Sequence, residues 1–70
     1  MKLSERIARY RKEHNLTQVE FAELGGLTRE AVQAIENGRV DNPGLETLLG
    51  IAKAMDTSLD ELVEEKAGND

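Results

Sequence analysis

The chain has 70 residues and a formal net charge of −5 at neutral pH. A chain this short forms a single domain that buries only about 60% of the surface its unfolded form exposes, so its stability margin is thin. It has no cysteine, one histidine, no apolar run long enough to span a membrane and no secretory leader. We therefore expect a cytoplasmic protein without disulfides, metal or cofactor, and enzyme activity is the weakest functional hypothesis.

The first two helices are predicted by their end signals. A helix is expected from Leu3 to His14, and Asn15 can take the left-handed conformation that ends it. Thr17 then lies three residues before Glu20, which is the spacing of a capping box. A second helix is therefore predicted to begin directly after Thr17.

Two adjacent glycines separate the second helix from a third. Gly25 and Gly26 end the second helix, because glycine adopts positive φ without steric cost. Gly25 lies in the last turn, where glycine costs up to about 1 kcal/mol relative to alanine, so we expect that helix to fray early. Thr28 can cap a third helix that runs from Arg29 to Asn37. A glycine turn between two short helices at this spacing predicts a helix-turn-helix.

The rest of the chain predicts two more helices and no strand. A polar loop, residues 39–44, leads to a fourth helix with five apolar residues at helical spacing, predicted to form its core face: Leu45, Leu48, Leu49, Ala52 and Met55. Ser58 and Glu61 form another capping box, which opens a final helix. Residues after about Lys66 lack apolar content. We thus expect one all-α domain over residues 1–66 and a frayed tail at 67–70.

The run QVEFAELGGLTREAVQAI, residues 18–35, resembles the helix-turn-helix of phage repressors, Cro proteins and small bacterial transcription regulators of the Cro/CI type. The likeness also includes the preceding segment RIARYRKEHNLTQ and, in the same order as in the family, IENGR, the lone proline and LETLLGIAKAMDTSLDEL. It implies a compact five-helix domain of the lambda-repressor-like DNA-binding type, with the motif at helices two and three. The implied function is a sequence-specific transcription regulator, a repressor, whose partner is double-stranded DNA.

The resemblance places the DNA-facing surface at the N-terminal ends of the second and third helices and in the loop after the third. A recognition helix enters the major groove by its first turns, so base contacts are expected from Arg29, Glu30 and Gln33. These side chains suit guanine, cytosine and adenine, respectively. Contacts to the DNA backbone are expected from Gln18, Thr28, Asn37 and Arg39.

The resemblance also implies a structural pair behind the reading helix. In relatives, an arginine of the first helix pairs with a glutamate near the end of the third, and the matching residues here are Arg11 and Glu36. We expect them to brace the third helix, and removing one partner of a buried pair can cost about 3–5 kcal/mol. The alternative for Arg11 is a solvated basic residue.

Family members commonly pair through C-terminal parts of the domain and bind palindromes whose half-sites lie about one DNA turn apart. The resemblance therefore implies a homodimer on a palindromic operator. The expected interface residues are Leu59, Leu62, Val63, Val40 and Leu45, with Ile51 a weaker candidate. Leu62 and Val63 could instead complete the core of the monomer.

The acidic charge is concentrated late in the chain. Residues 1–39 carry seven basic and six acidic side chains, whereas residues 40–70 carry two basic and eight acidic ones. This asymmetry lessens the conflict with a DNA partner. It also supports a second hypothesis, in which a protein-interaction module of the same fold holds a toxin or an RNA polymerase subunit through its acidic C-terminal surface.

Within the regulator class, three subclasses stay open: a phage or mobile-element repressor, a restriction-modification controller and an antitoxin. No small-molecule ligand is expected in any of them.

Overall fold

The computed structural model describes residues 2–62, which are helical with short connections and contain no strand. Helix α1 spans Leu3–Glu13, α2 spans Gln18–Gly25, α3 spans Arg29–Glu36 and α4 spans Leu45–Ala54. Residues 59–62 are also helical and form the described part of α5. The prediction of an all-α, five-helix fold is confirmed. Val63, the predicted domain end at residue 66 and the predicted tail at 67–70 lie outside the described residues.

Local end signals account for the helix boundaries. Asn15 has a φ of 54° and Gly38 a φ of 83°, so the chain leaves α1 and α3 through left-handed backbone. Before α5, the Ser58 hydroxyl oxygen accepts a hydrogen bond from the Glu61 backbone N–H at 3.1 Å. Because each signal acts within a few residues, the predicted and observed ends of α1 and α3 and the start of α2 differ by one residue at most.

All five helices contribute to one hydrophobic core. The largest fully buried side chains come one from each helix in chain order: Ile7, Phe21, Val32, Ile51 and Leu62. The Tyr10 ring packs edge-on against the Phe21 ring with centroids 6.1 Å apart. Helices α1 and α2 pack against the apolar side of α3, and its other side is exposed.

The predicted core face of α4 is wrong at two positions. Leu45 is 63% exposed and Leu49 is 48% exposed, whereas Ile51 is fully buried. Helix α4 packs on α2 where Gly50 lies against Gly25, and this contact sets which side of α4 faces inward. Because apolar residues occur on nearly every side of α4, their spacing alone could not select the buried side.

The described residues contain neither a membrane-spanning helix nor a metal-binding cluster. No helix within residues 2–62 combines the length and apolar character needed to cross a bilayer. Nor does this part of the chain gather three or more histidine, cysteine or acidic side chains in a metal-binding cluster. His14 follows the end of α1, where its ring stacks on Tyr10 with centroids 4.0 Å apart.

Candidate nucleic-acid interface

Helix α2 begins at a capping box and ends at a glycine in left-handed backbone. The Thr17 hydroxyl oxygen accepts a hydrogen bond from the Glu20 N–H at 3.0 Å, and a Glu20 carboxylate oxygen accepts one from the Thr17 N–H at 2.8 Å. Helix α2 stays helical through Gly25. Gly26 then takes a φ of 66°, and the chain enters α3 three residues later. Helices α2 and α3 thus form the predicted helix-turn-helix.

Helix α3 has one buried side and one exposed polar side. Val32 is fully buried and Ile35 is 3% exposed, which fixes this helix on the core. The three side chains expected to contact bases, Arg29, Glu30 and Gln33, are all exposed. The structure therefore presents them together to solvent on the first turns of α3.

The N-terminal end of α3 is open to solvent. The Thr28 hydroxyl oxygen accepts a hydrogen bond from the Ala31 N–H at 3.1 Å, and Thr28, Arg29 and Glu30 are exposed. The first N–H groups of a helix have no partner within the helix and carry a partial positive charge. This end of α3 is therefore suited to an anionic group, although Glu30 opposes that effect.

The side chains expected to contact the DNA backbone occupy three places. Thr28 caps α3, while Asn37 and Arg39 lie at the other end of that helix, where the Asn37 side-chain oxygen accepts a hydrogen bond from the Arg39 N–H at 3.0 Å. Gln18 is the first residue of α2 and is half-buried. Its amide nitrogen donates to a Glu36 carboxylate oxygen at 3.3 Å, a contact that sequence reasoning did not find.

The Arg11 and Glu36 side chains form a bidentate ion pair between α1 and α3. Arg11 Nε donates to Glu36 Oε2 at 2.6 Å, and Arg11 Nη2 donates to Glu36 Oε1 at 2.7 Å. Arg11 Nη1 also donates to the Leu16 carbonyl oxygen at 3.0 Å. The hydrogen bond to Glu36 raises the pKa of Arg11 above its ordinary value, outweighing the opposing effect of burial. Both charges are therefore held in one geometry behind the exposed side of α3.

The expected dimer contacts differ in how much surface they offer. Val40 and Leu45 are 39% and 63% exposed, and Leu59 is half-buried. Leu62 is 1% exposed because it packs in the core of the monomer, which is the alternative the sequence left open for it. Ile51, the weaker candidate, is fully buried as well and has no surface to offer a second copy.

Comparison with known proteins is consistent with this geometry. A family model described as "Helix-turn-helix" matches residues 7–62. The chain is 39% identical over 66 residues to the immunity repressor protein of Bacillus phage phi105, an alignment that covers 94% of this chain and 45% of the repressor. It is 38% identical over 61 residues to control protein C.SmaI of Serratia marcescens, covering 87% of this chain and 71% of that protein.

Two further matches add a repressor and a solved structure. The CTXphi transcriptional repressor RstR of Vibrio cholerae is 39% identical over 62 residues, covering 89% of this chain and 54% of the repressor. The chain thus spans about half the length of the two phage repressors. A crystal structure of SinR, a master regulator for biofilm formation, in complex with DNA matches with a TM-score of 0.73 and 30% identity, covering 86% of this chain and 95% of that one. The chain therefore belongs to the helix-turn-helix family, a family of DNA-binding transcription regulators rather than enzymes.

Proposed function

We propose that this chain is a sequence-specific DNA-binding transcription repressor that acts as a homodimer on a palindromic operator. The observation that carries the proposal is the exposed polar side of α3, which presents Arg29, Glu30 and Gln33 beside an open helix N-terminus. With double-stranded DNA as its partner, the protein would act in the cytoplasm.

The chemistry of α3 suits reading bases in the major groove. The Arg29 guanidinium can donate two hydrogen bonds to guanine, and the Gln33 carboxamide can pair with adenine. Glu30 can accept from the cytosine amino group, but its charge also repels phosphate. Because Val32 and Ile35 are buried, the exposed side of α3 is held toward the DNA without rotation of the helix.

Specificity for one genomic site supports two copies rather than one. A single recognition helix covers only a few base pairs, whereas a two-fold dimer reads two half-sites about one DNA turn apart. Val40 and Leu45 are exposed apolar side chains that a second copy could cover. A self-complementary contact between such patches is the usual basis of a two-fold dimer.

The test is selection of bound duplexes from a random double-stranded DNA library at moderate salt, followed by sequencing. Enrichment of a palindrome is expected, because both base readout and dimeric recognition are proposed. A single non-repeated half-site would contradict the homodimer but not the DNA binding. No enrichment by the folded protein would contradict the proposal as a whole.

Replacing Arg29 with alanine should weaken binding to the selected operator by about 1–3 kcal/mol and relax the preference at one base position. The guanidinium is exposed on the first turn of α3, so its loss should not disturb the fold. Affinities for operators with each base substituted at each position measure the effect.

A charge-matched control for Arg29 is available in α1. Arg9 is exposed and pairs with Glu13 at 3.4 Å, so Arg9→Ala removes the same charge away from α3. We expect this variant to keep the base preferences of the wild-type protein. If Arg29→Ala instead weakens all sequences equally, Arg29 contacts phosphate and not a base.

Substituting Val40→Ser and Leu45→Gln together should weaken dimerisation at least tenfold, because the interface would bury both apolar side chains in each of the two subunits. Sedimentation equilibrium without DNA measures the dimer dissociation constant. The control is Leu24→Gln, which makes the same leucine-to-glutamine change at an exposed position of α2. Equal behaviour of the two proteins would remove this patch from the interface.

A protein-interaction module is the second candidate function, and the charge distribution favours it. On α4 the exposed Glu46 follows the exposed Leu45 and lies one helical turn before the exposed Leu49, so this helix offers acidic and apolar groups together. Such a surface suits a basic, partly apolar partner, which could be a toxin or an RNA polymerase subunit. Failure of the folded protein to enrich any duplex would make this candidate the better one.

A further inference from the structure

One carboxylate joins three helices behind the proposed DNA-binding surface. Glu36 of α3 accepts hydrogen bonds from Arg11 of α1 through both oxygens, at 2.6 and 2.7 Å. The Oε1 atom of the same carboxylate also accepts a hydrogen bond from the Gln18 amide nitrogen at 3.3 Å. The Glu36 side chain is only 11% exposed, so these bonds are shielded from water.

The contact with Glu36 restricts the Gln18 side chain. Gln18 is the first residue of α2, where a free glutamine would sample many rotamers. One amide N–H points to Glu36, which leaves the second N–H and the amide oxygen for another partner. A side chain that is already ordered loses less entropy when it binds.

The ion pair cancels the repulsion that the Glu36 carboxylate alone would exert on a DNA phosphate. A lone carboxylate next to a phosphate-binding side chain would repel the DNA backbone. Here the Arg11 guanidinium neutralises Glu36 through two short hydrogen bonds, so the carboxylate can orient Gln18 without adding net negative charge. Orientation and charge are thus supplied by the same pair.

We propose that Glu36 is a positioning residue that orients the Gln18 carboxamide for a hydrogen bond to one phosphate of the operator. The inference rests on the proposed function, since it needs DNA as the partner. It assigns Glu36 a role in DNA binding beyond fixing α3 on α1. The phosphate contact is therefore coupled to the orientation of the reading helix through a single side chain.

The experiment compares operator duplexes that carry one uncharged methylphosphonate at a time. In the wild-type protein, the substitution at the phosphate facing Gln18 should weaken binding roughly tenfold, the usual effect of a hydrogen bond to a charged group. Gln18→Met, which keeps the length of the side chain, should abolish the effect of that substitution. Glu36→Leu, which removes both acceptor oxygens, should abolish it as well, while the base preference at the Arg29 position persists.

Two outcomes of this scan overturn the proposal. A methylphosphonate effect that survives in full in Glu36→Leu means that Gln18 needs no help from Glu36. Equal loss of every phosphate and base contact in Glu36→Leu means that Glu36 only stabilises α3. Failure of the wild-type protein to select any operator overturns the proposed function and this role with it.

A second measurement needs no substitution at position 36 and therefore holds if Glu36→Leu does not fold. Side-chain 15N relaxation of the free wild-type protein compares the carboxamides of Gln18 and Gln33, which are the two glutamines of the chain. Gln18 should show the higher order parameter of the two, and the exposed Gln33 should lie below about 0.6, the range of flexible groups. Equal mobility of the two carboxamides would overturn the orientation of Gln18 by Glu36, whether or not the protein binds DNA.

Discussion

Gly25→Ala should destabilise the fold by about 1–3 kcal/mol, which lowers the melting temperature of a domain this small by about 5–20 °C. A Cβ atom at Gly25 would overlap the Gly50 carbonyl oxygen, and it would lie 2.9 Å from the Gly50 carbonyl carbon and 3.2 Å from the Ala54 Cβ. The obstacle is backbone and cannot rotate away, so α2 and α4 must move apart. Thermal unfolding followed by circular dichroism measures the loss.

Gly44 provides the matched control for this substitution. It precedes α4 with a φ of −69°, and a Cβ atom there would meet nothing within 4 Å. Gly44→Ala should therefore stay within about 0.5 kcal/mol of the wild-type protein, since a small capping loss is offset by a less flexible unfolded chain. If Gly25→Ala is no less stable than Gly44→Ala, the close approach of α2 to α4 is absent in solution.

The contact between Gly25 and Gly50 shows where sequence reasoning about the fold stops. From sequence, Gly25 is an unfavourable residue in a helix, and its cost is visible because helix propensity is local. Its reason is the contact with Gly50, a residue 25 positions later, and no local pattern reveals that contact. For the same reason, the apolar spacing of α4 wrongly predicts Leu45 and Leu49 to be in the core. The two small residues, not the leucines, determine which side of α4 is buried.

In the candidate site, too, local contacts could be predicted from local sequence patterns and long-range contacts could not. Thr17, Glu20 and Thr28 could be predicted as caps because each bonds a backbone group three residues away. The pairing of Arg11 with Glu36 spans 25 residues and was expected only through resemblance to a family. Neither local patterns nor the family resemblance predicted the hydrogen bond from Gln18 to Glu36, because a glutamine at a helix start can bond to several different acceptors.

Arg11→Ala should destabilise the protein by about 3 kcal/mol, the lower end of the range for breaking a buried ion pair. The lower end applies because the Arg11 side chain is 22% exposed and that of Glu36 is 11% exposed, so water can replace part of the loss. The substitution leaves the Glu36 carboxylate without its bidentate partner and removes a donor from the Leu16 carbonyl oxygen. Urea unfolding measures the change in the free energy of unfolding.

Two variants separate loss of the ion pair from loss of a positive charge. Arg9→Ala removes an arginine whose pair with Glu13 is exposed on both sides, and such surface pairs contribute less than about 1 kcal/mol. Arg11→Met combined with Glu36→Leu removes both charges together and should recover most of the loss, because no buried charge is left unpaired. A double variant as unstable as Arg11→Ala would show that the hydrogen bond to Leu16, rather than the ion pair, holds α1 in place. If Arg11→Ala matches Arg9→Ala in stability, neither contact braces α3, and the orientation of the reading helix must come from Val32 and Ile35 alone.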